Sequence, residues 1–219
     1  MAAIDHHNSP PPRVAAVLVV HDGVEWLGSV LATLAAQRYP ELDLVAVDNA
    51  STDGSAEVLA RRIPADKLLT QPHNTGFGAA VEAVLNHPSV ADAELLLLLH
   101  DDLALAPDAI GELVAALLAD DRVGIVGPKL REWNDDGVLA EMGMTIDRFG
   151  RAVSPVEPAE LDQGQHDTAT AVLYVNTAGM LLRNDLLHKL GGFDARFPAY
   201  RDDLDLCWRA WLADHRVEV

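Results

Sequence analysis

The chain opens its first regular stretch with seven apolar residues in a row, Val14-Ala-Ala-Val-Leu-Val-Val20. No polar position interrupts them, which is the pattern of a strand buried on both faces. The period then changes. Val24, Leu27, Leu31, Leu34 and Ala35 recur at helical spacing, predicting a helix over 24–37 with one apolar face. Leu42-Asp-Leu-Val-Ala-Val47 predicts a second strand, followed by a turn and a helix over 54–62. Lys67-Leu-Leu69 predicts a short third strand and 77–86 a third helix. Leu95 to Leu99 predicts a fourth strand, 108–119 a fourth helix and Val123-Gly-Ile-Val126 a fifth strand. Strands separated by helices pair in parallel through right-handed crossovers, so the fold class is α/β.

That alternation stops at residue 127. Residues 127–170 are rich in Gly, Pro, Asp and Glu, and predict long loops with a hairpin near 142–153. Apolar runs return at Ala171-Val-Leu-Tyr-Val175 and Gly179-Met-Leu-Leu182, followed by helices over 184–190 and 203–213. Val217-Glu-Val219 reads as a strand cut off as it begins, and no linker divides 13–219 into two domains. Residues 1–12 are polar and end in Ser9-Pro-Pro-Pro12, as expected of a flexible arm without a signal peptide's apolar centre. His6 and His7 in that arm are read as solvated rather than metal-binding. No apolar run approaches the roughly 20 residues that cross a bilayer as a helix.

Composition changes the picture in one respect. Among 219 residues, 34 are acidic and 16 basic, a net charge of −18. Such a chain does not neutralise a nucleic-acid backbone by charge. An anionic ligand must be held by something else, and a divalent cation is the obvious means. The apolar fraction of 49% suffices for a packed core. The one cysteine, Cys207, excludes an internal disulfide.

Ligands of a parallel α/β sheet bind at the carboxyl ends of its strands. Four of those ends are polar here: His21-Asp22-Gly23, Asp48-Asn49-Ala-Ser51-Thr52-Asp53-Gly-Ser55, His73-Asn74-Thr-Gly76-Phe77-Gly78 and His100-Asp101-Asp102. Asp53 and Ser51 are read mainly as helix caps. His100-Asp101-Asp102 is different, because it forces carboxylates together directly after five leucines. Adjacent like charges repel unless a cation sits between them, and hard oxygen ligands suit Mn²⁺ or Mg²⁺. A second acidic cluster, Arg201-Asp202-Asp203-Leu-Asp205, opens the last helix, and a carboxylate held there can serve as a general base for a hydroxyl.

In this order and spacing the clusters resemble the catalytic domain of family 2 glycosyltransferases of the GT-A fold, in the rhamnosyl- and galactofuranosyltransferase branch. The resemblance covers about 13–219. It rests on Val47-Asp-Asn-Ala-Ser-Thr-Asp-Gly-Ser55, Asn74-Thr-Gly-Phe-Gly78, His100-Asp-Asp102, Ala178-Gly-Met-Leu-Leu-Arg183, Gly191-Gly-Phe-Asp194 and Asp202-Asp-Leu-Asp-Leu-Cys-Trp-Arg209. It implies a Rossmann-like, mostly parallel sheet with a small mixed second sheet in the C-terminal half. It also implies inverting transfer from a UDP-, dTDP- or GDP-sugar to a glycan or lipid-linked acceptor, in cell-envelope polysaccharide or glycolipid synthesis. The place of action would be cytoplasmic, at the inner face of the cell membrane. By the same resemblance Asp48 meets the nucleobase and His21 stacks on it. Asn74, Gly76 and Asp101 belong to the donor side, Asp102 binds Mn²⁺ or Mg²⁺, and Asp203 is the general base. Asp194 and Asp202 fall on the acceptor side.

Three departures stand out. His100 replaces the first aspartate of the family's metal motif, and Glu82 stands where Asn is common. The family's histidine metal ligand lies a strand beyond the last helix; His215 comes too early for it and is expected at the surface. The chain therefore reads as cut short, with weak turnover expected from these 219 residues alone. A non-catalytic sugar-nucleotide binder is the main alternative, and a nucleotidyltransferase of related fold the second. The latter needs a Gly-rich, Arg-containing loop after the first strand, which His21-Asp22-Gly23-Val24 does not provide.

Overall fold

The computed structural model describes residues 10–197 and 199–219. His6, His7 and most of the expected arm lie outside them. Strands β1 (Val14–Val20), β2 (Leu42–Asp48), β3 (Leu68–Thr70), β4 (Leu95–His100) and β5 (Val123–Val126) alternate with helices. These are α1 (Val24–Ala35), α2 (Ser55–Arg62), α3 (Phe77–Glu82), α4 (Pro88–Ala91) and α5 (Ala109–Leu118). The helix expected over 77–86 stops at Glu82, and a separate short helix, α4, follows from Pro88. Pro88 disfavours helical backbone at His87, and the His87 ring instead accepts from the Ser89 amide at the start of α4.

The second half contributes β6 (Leu130–Glu132), β7 (Asp135–Glu141), β8 (Thr145–Ile146), β9 (Ala152–Val153), β10 (Leu181–Arg183), α6 (Asn184–Leu190), α7 (Asp202–Leu212) and β11 (Arg216–Glu218). The main sheet runs β11-β5-β10-β4-β1-β2-β3. All its pairings are parallel except those of β10, which lies antiparallel between β4 and β5. Consecutive strands β4 and β5 are therefore not neighbours. The apolar run Leu181-Leu182 comes back from the second half and pairs with Leu97 and Leu96 on one side and with Val126 and Ile125 on the other.

The other strands of the second half form two separate antiparallel ladders, β6-β7 and β8-β9, rather than one mixed sheet. The β8-β9 ladder is the hairpin expected near 142–153. The β6-β7 hairpin was not legible, because its strands are exposed and carry little apolar alternation. Ala171–Val175 forms no continuous strand. Its backbone divides its bonds between two neighbours, Val172 N–H donating to Val217 O and Tyr174 exchanging bonds with Met144. The Trp211 indole N–H donates to the Val172 and Leu173 carbonyls as well.

The strict two-residue period of the strands splits the core into two layers. Val14, Ala16, Leu18, Leu97 and Leu99 face α1, α2 and α5, which bring Leu27, Leu31, Leu59, Ile110 and Leu117. Val17, Val19, Leu96 and Leu98 face the layer built by α3, α4, α6 and α7 with Tyr174 and Met180. The surface placement expected for His215 is corrected: its ring packs over Gly124 of β5 and its Nδ1 is buried without a hydrogen-bond partner. Gly124 leaves the space that the Leu186 side chain and the base of the His215 ring occupy.

Leu97 is fully buried at the centre of the sheet. Leu97→Ala is expected to cost about 3 kcal/mol, in the usual range for a core leucine. Urea unfolding measures it, and a loss below about 1 kcal/mol would contradict this placement of β4.

Candidate functional site

The carboxyl ends of β1, β2 and β4 meet the N-terminal ends of α3 and α7 around a cavity of about 690 Å³. That is ample for a ligand of nucleotide-sugar size. Short polar side chains bind these loops to one another. The Asp22 carboxylate accepts from the Thr52 amide at 2.6 Å, and Ser51 and Ser55 hydroxyls accept from the Asp22 and Gly23 amides. Asp53 does more than cap α2. One oxygen takes the Ser55 amide and hydroxyl, and the other takes the Val24 amide at the start of α1.

Asn49 is the second hub. Its Oδ1 accepts from the Thr75 amide and hydroxyl, and its Nδ2 donates to Asn74 Oδ1 at 3.0 Å. Asn74 Oδ1 also accepts from the Gly76 amide at 2.9 Å. The Asn74 side chain is thereby spent on shaping the turn into α3, where Gly76 has a φ of +83°.

At the end of β4, Asp101 accepts the His21 amide at 2.7 Å. A Cβ on Gly23 would stand 2.4 Å from that carboxylate, so only glycine lets the β1 loop close over it. Burial pushes the Asp101 carboxyl above its ordinary range, with Asp102 adding to the effect and the His21 amide opposing it. Asp102 is exposed, and no hydrogen bond reaches its carboxylate among the described residues. His100 packs against Phe77 with ring centroids 4.5 Å apart, and its Nε2 pairs with the Thr177 hydroxyl at 2.9 Å. Burial lowers its pKa, with nearby Asp102 and Asp202 opposing the shift.

Helix α7 supplies the second group of acids. Tyr200 and Arg201 precede it with φ of +64° and +70°. Two successive left-handed residues cost on the order of 1 kcal/mol each, and they swing the chain so that Asp202 and Asp203 open the helix on the cavity wall. Burial raises both carboxyls. For Asp203 the neighbouring Asp202 adds to the shift, while the Leu204 amide and Arg201 oppose it. Leu206, Cys207 and Ala210, all fully buried, anchor the helix behind them, and burial pushes the Cys207 thiol to about 12.

Six of the residues singled out from sequence line the cavity: His21, Asn74, Gly76, Asp101, Asp202 and Asp203. Three do not. Asp48 is buried below it, one oxygen taking the Ser51 amide at 3.1 Å. Asp102 stands outside the lining, next to Asp101. Asp194 is occupied by Arg196, whose guanidinium bonds both its oxygens and holds its pKa down to about 2.

Other lining residues gave no separate signal in the sequence. Asn49 and Phe77 were hidden inside motifs, Tyr174 inside an apolar run, and Asn176 and Thr177 in the turn before β10. Glu141, at the end of β7, has its carboxyl raised chiefly by burial, with nearby Asp203 adding to the shift and Asn176 opposing it. Glu82, the departure in α3, accepts the Phe193 amide at 2.8 Å and fills the space a Cβ on Gly192 would need. It fastens the Gly191–Phe193 turn to α3.

No cluster of three His, Cys, Asp or Glu able to enclose a metal occurs among the described residues. The two adjacent carboxylates Asp101 and Asp102, one free of hydrogen bonds, still fit a hard cation. Mg²⁺ and Mn²⁺ commonly hold one or two carboxylates and complete their shell with phosphates and water.

The raised acids give a pH test. A carboxyl whose pKa is raised by folding contributes stability below its unfolded pKa, and loses it as pH rises through the folded value. At neutral pH the Asp203 charge therefore costs stability, while Asn keeps the oxygen that accepts the Leu204 amide. Asp203→Asn is expected to melt higher than the parent at pH 7, with the gap closing as pH falls below the ordinary value of 3.8. Thermal melts across pH measure it, and a lower melting point at pH 7 would contradict the burial of this charge.

The chain is similar to two curated bacterial proteins. It is 28% identical over 204 residues to the O-antigen biosynthesis protein RfbC of Myxococcus xanthus, covering 89% of this chain and 16% of that protein. It is 26% identical over 211 residues to the N-acetylglucosaminyl-diphospho-decaprenol L-rhamnosyltransferase of Mycobacterium tuberculosis, covering 87% of this chain and 67% of that one. The chain thus spans about a sixth of the first relative and about two thirds of the second.

Among solved structures, a mannosyltransferase of Pyrobaculum calidifontis in complex with GDP-Man and Mn²⁺ superposes with a TM-score of 0.69 at 20% identity, over 95% of this chain and 55% of that one. GalNAc-T7 with UDP, GalNAc and Mn²⁺ gives 0.73 at 14% identity, over 96% and 43%. TarS of S. aureus with UDP-GlcNAc gives 0.66 at 18%, over 94% and 55%. These likenesses show the GT-A fold. The family model described as glycosyltransferase like family 2 matches residues 11–219, and the chain belongs to that family.

Proposed function

We propose that the chain transfers a sugar, with inversion, from a nucleoside-diphosphate sugar to the hydroxyl of a lipid-linked glycan in cell-envelope synthesis. The observation that carries this reading is a single cavity that joins the β4 carboxylate end, Asp101, to the raised acids of α7, Asp202 and Asp203. The relatives support it: one is named for a diphospho-decaprenol acceptor, and several of the similar structures hold nucleotide sugars or nucleotides.

In this reading the nucleoside lies at the ends of β1 and β2. His21 offers a half-exposed imidazole face for the base, buried Asp48 braces the loop beneath it through the Ser51 amide, and the Asn49–Asn74 pair fixes the wall formed by the α3 turn. Asp101 and Asp102 would hold Mn²⁺ or Mg²⁺, which when bound supplies positive charge to the departing diphosphate. Asp203 accepts the proton of the acceptor hydroxyl as its oxygen bonds to the anomeric carbon. The bond from that carbon to the phosphate oxygen breaks, and its electron pair leaves with the nucleoside diphosphate. A buried carboxylate with a raised pKa is the stronger base for that step. Asp202 sits on the acceptor side with Glu141 and Asn176, and Asp194 orders the preceding loop through Arg196. No described helix is long and apolar enough to cross a membrane. Work at the inner membrane face would follow from contact with the acceptor lipid.

Thermal-shift measurements with UDP-, GDP- and dTDP-sugars, with and without Mn²⁺, are expected to single out one nucleotide and to show metal dependence. Asp102→Asn should remove the metal-dependent part of that shift. Asp203→Asn should keep the shift while transfer falls about 10²- to 10⁴-fold, the usual worth of a general base. An unchanged transfer rate would remove Asp203 from that role, and the absence of any nucleotide shift would overturn the donor assignment.

A further inference from the structure

The hairpin between β8 and β9 is rooted in the site and capped by an unusual tip. Met144, just before β8, exchanges two backbone hydrogen bonds with Tyr174, and both Met144 and Ala152 line the cavity. The turn itself is held rigidly. Asp147 Oδ1 accepts the Phe149 and Arg151 amides at 2.8 and 3.0 Å, and Gly150 takes the left-handed conformation at φ +76°. Phe149 at the tip is 65% exposed. Two guanidiniums flank its ring, Arg148 at 4.7 Å and Arg151 at 5.2 Å from the centroid. Arg151 also pairs with Asp147, whereas Arg148 has no carboxylate partner among the described residues.

This placement matters because of the charge around it. The chain carries a net charge of −18, and the cavity beside the hairpin is lined by three carboxylates, Asp101, Asp202 and Asp203, against one guanidinium, Arg201. An anionic acceptor is repelled almost everywhere on such a surface. Most other cations near the second half are neutralised: Lys129 and Arg131 by Asp162, Arg196 by Asp194, and Arg209 by Asp205. The hairpin tip offers the complementary set: the Arg148 fork with no carboxylate partner among the described residues, the exposed Arg151 fork shared with Asp147, and an exposed ring beside them.

We infer that the Arg148–Phe149–Arg151 tip is the docking site for the diphosphate and first isoprene unit of a lipid-linked acceptor. The guanidiniums bind the phosphate oxygens, the Phe149 ring packs on the prenyl chain, and the sugar of the acceptor is directed past Ala152 toward Asp203. The inference rests on the transferase reading and names the partner of that same site.

The test uses the full chain and phosphatidylcholine vesicles doped with farnesyl diphosphate, with phosphatidylglycerol-doped vesicles of equal surface charge as the second arm. Flotation is expected to retain the chain on the diphosphate vesicles and not on the phosphatidylglycerol ones. The Arg148→Glu/Arg151→Glu variant should bind at least about tenfold more weakly, the loss of charge-assisted pairs to phosphate. Arg148→Glu alone, which breaks no described ion pair, should weaken binding in the same direction. Nucleotide-sugar thermal shifts should be unchanged in both variants, which separates this site from the donor site.

Equal retention on both vesicle types would make the tip a general anionic-surface contact and overturn the proposal. Retention that survives both substitutions would overturn it too. If no sugar nucleotide binds but diphosphate retention still follows the arginines, the docking site stands and the donor reading falls.

Discussion

Negative charge gathered at the mouth of an apolar sheet is the constraint on which the rest of this structure depends. Asp101, Asp202, Asp203 and Glu141 come together where burial raises every one of their pKa values, and Asp102 adds its field to that of Asp101. Such a cluster opposes folding at neutral pH and persists only because the surrounding scaffold is over-determined. The fully buried layers on both faces of β1 and β4 supply that excess. Carboxylates under mutual repulsion are also the groups that gain most from a hard cation.

The loops hold the cluster by interlocking rather than by bulk. Asp22, Ser51, Asp53 and Ser55 bind the ends of β1 and β2 to each other and to the first turns of α1 and α2. Asn49 joins them to the α3 turn, and His100 reaches across to Thr177. From α3, Glu82 fastens the Gly192-Phe193 turn, and the Phe193 ring meets Phe77 edge-on at 6.4 Å. A continuous set of short contacts therefore runs from the donor side to the loop that delivers α7. The position where Glu82 departs from the family's usual residue is one of its links.

The two halves of the chain divide the work. Residues up to β5 build the parallel sheet and its polar edge, where the fold itself sets the geometry. The second half returns through β10 into the middle of that sheet and in doing so carries the Asn176-Thr177 turn, α7 and the β8-β9 hairpin to the same cavity. Its own ladders are short and mostly exposed, outside the two core layers.

The alternation of apolar runs with helical periods determined the α/β class, the first five strands and their polar ends, because burial on two faces leaves an unmistakable period and strand ends must be polar. The acids of β4 and α7 were legible for the same reason: carboxylates beside leucines or tryptophans are conspicuous. What the sequence left open is everything that depends on distant residues meeting. The insertion of β10 between β4 and β5 could not be read, since Leu181 and Leu182 are equally apolar in any slot of the sheet. The β6-β7 hairpin buries only Leu139 fully, too little to impose a period. His215 looked like a surface residue until Gly124, more than ninety positions earlier, proved to leave room for its ring. Which oxygen of Asp101 meets His21, and that Asp194 is consumed by Arg196 while Tyr174 and Asn176 reach the cavity, were decided by tertiary packing alone, because a side chain's partners are set by the space that other elements leave it.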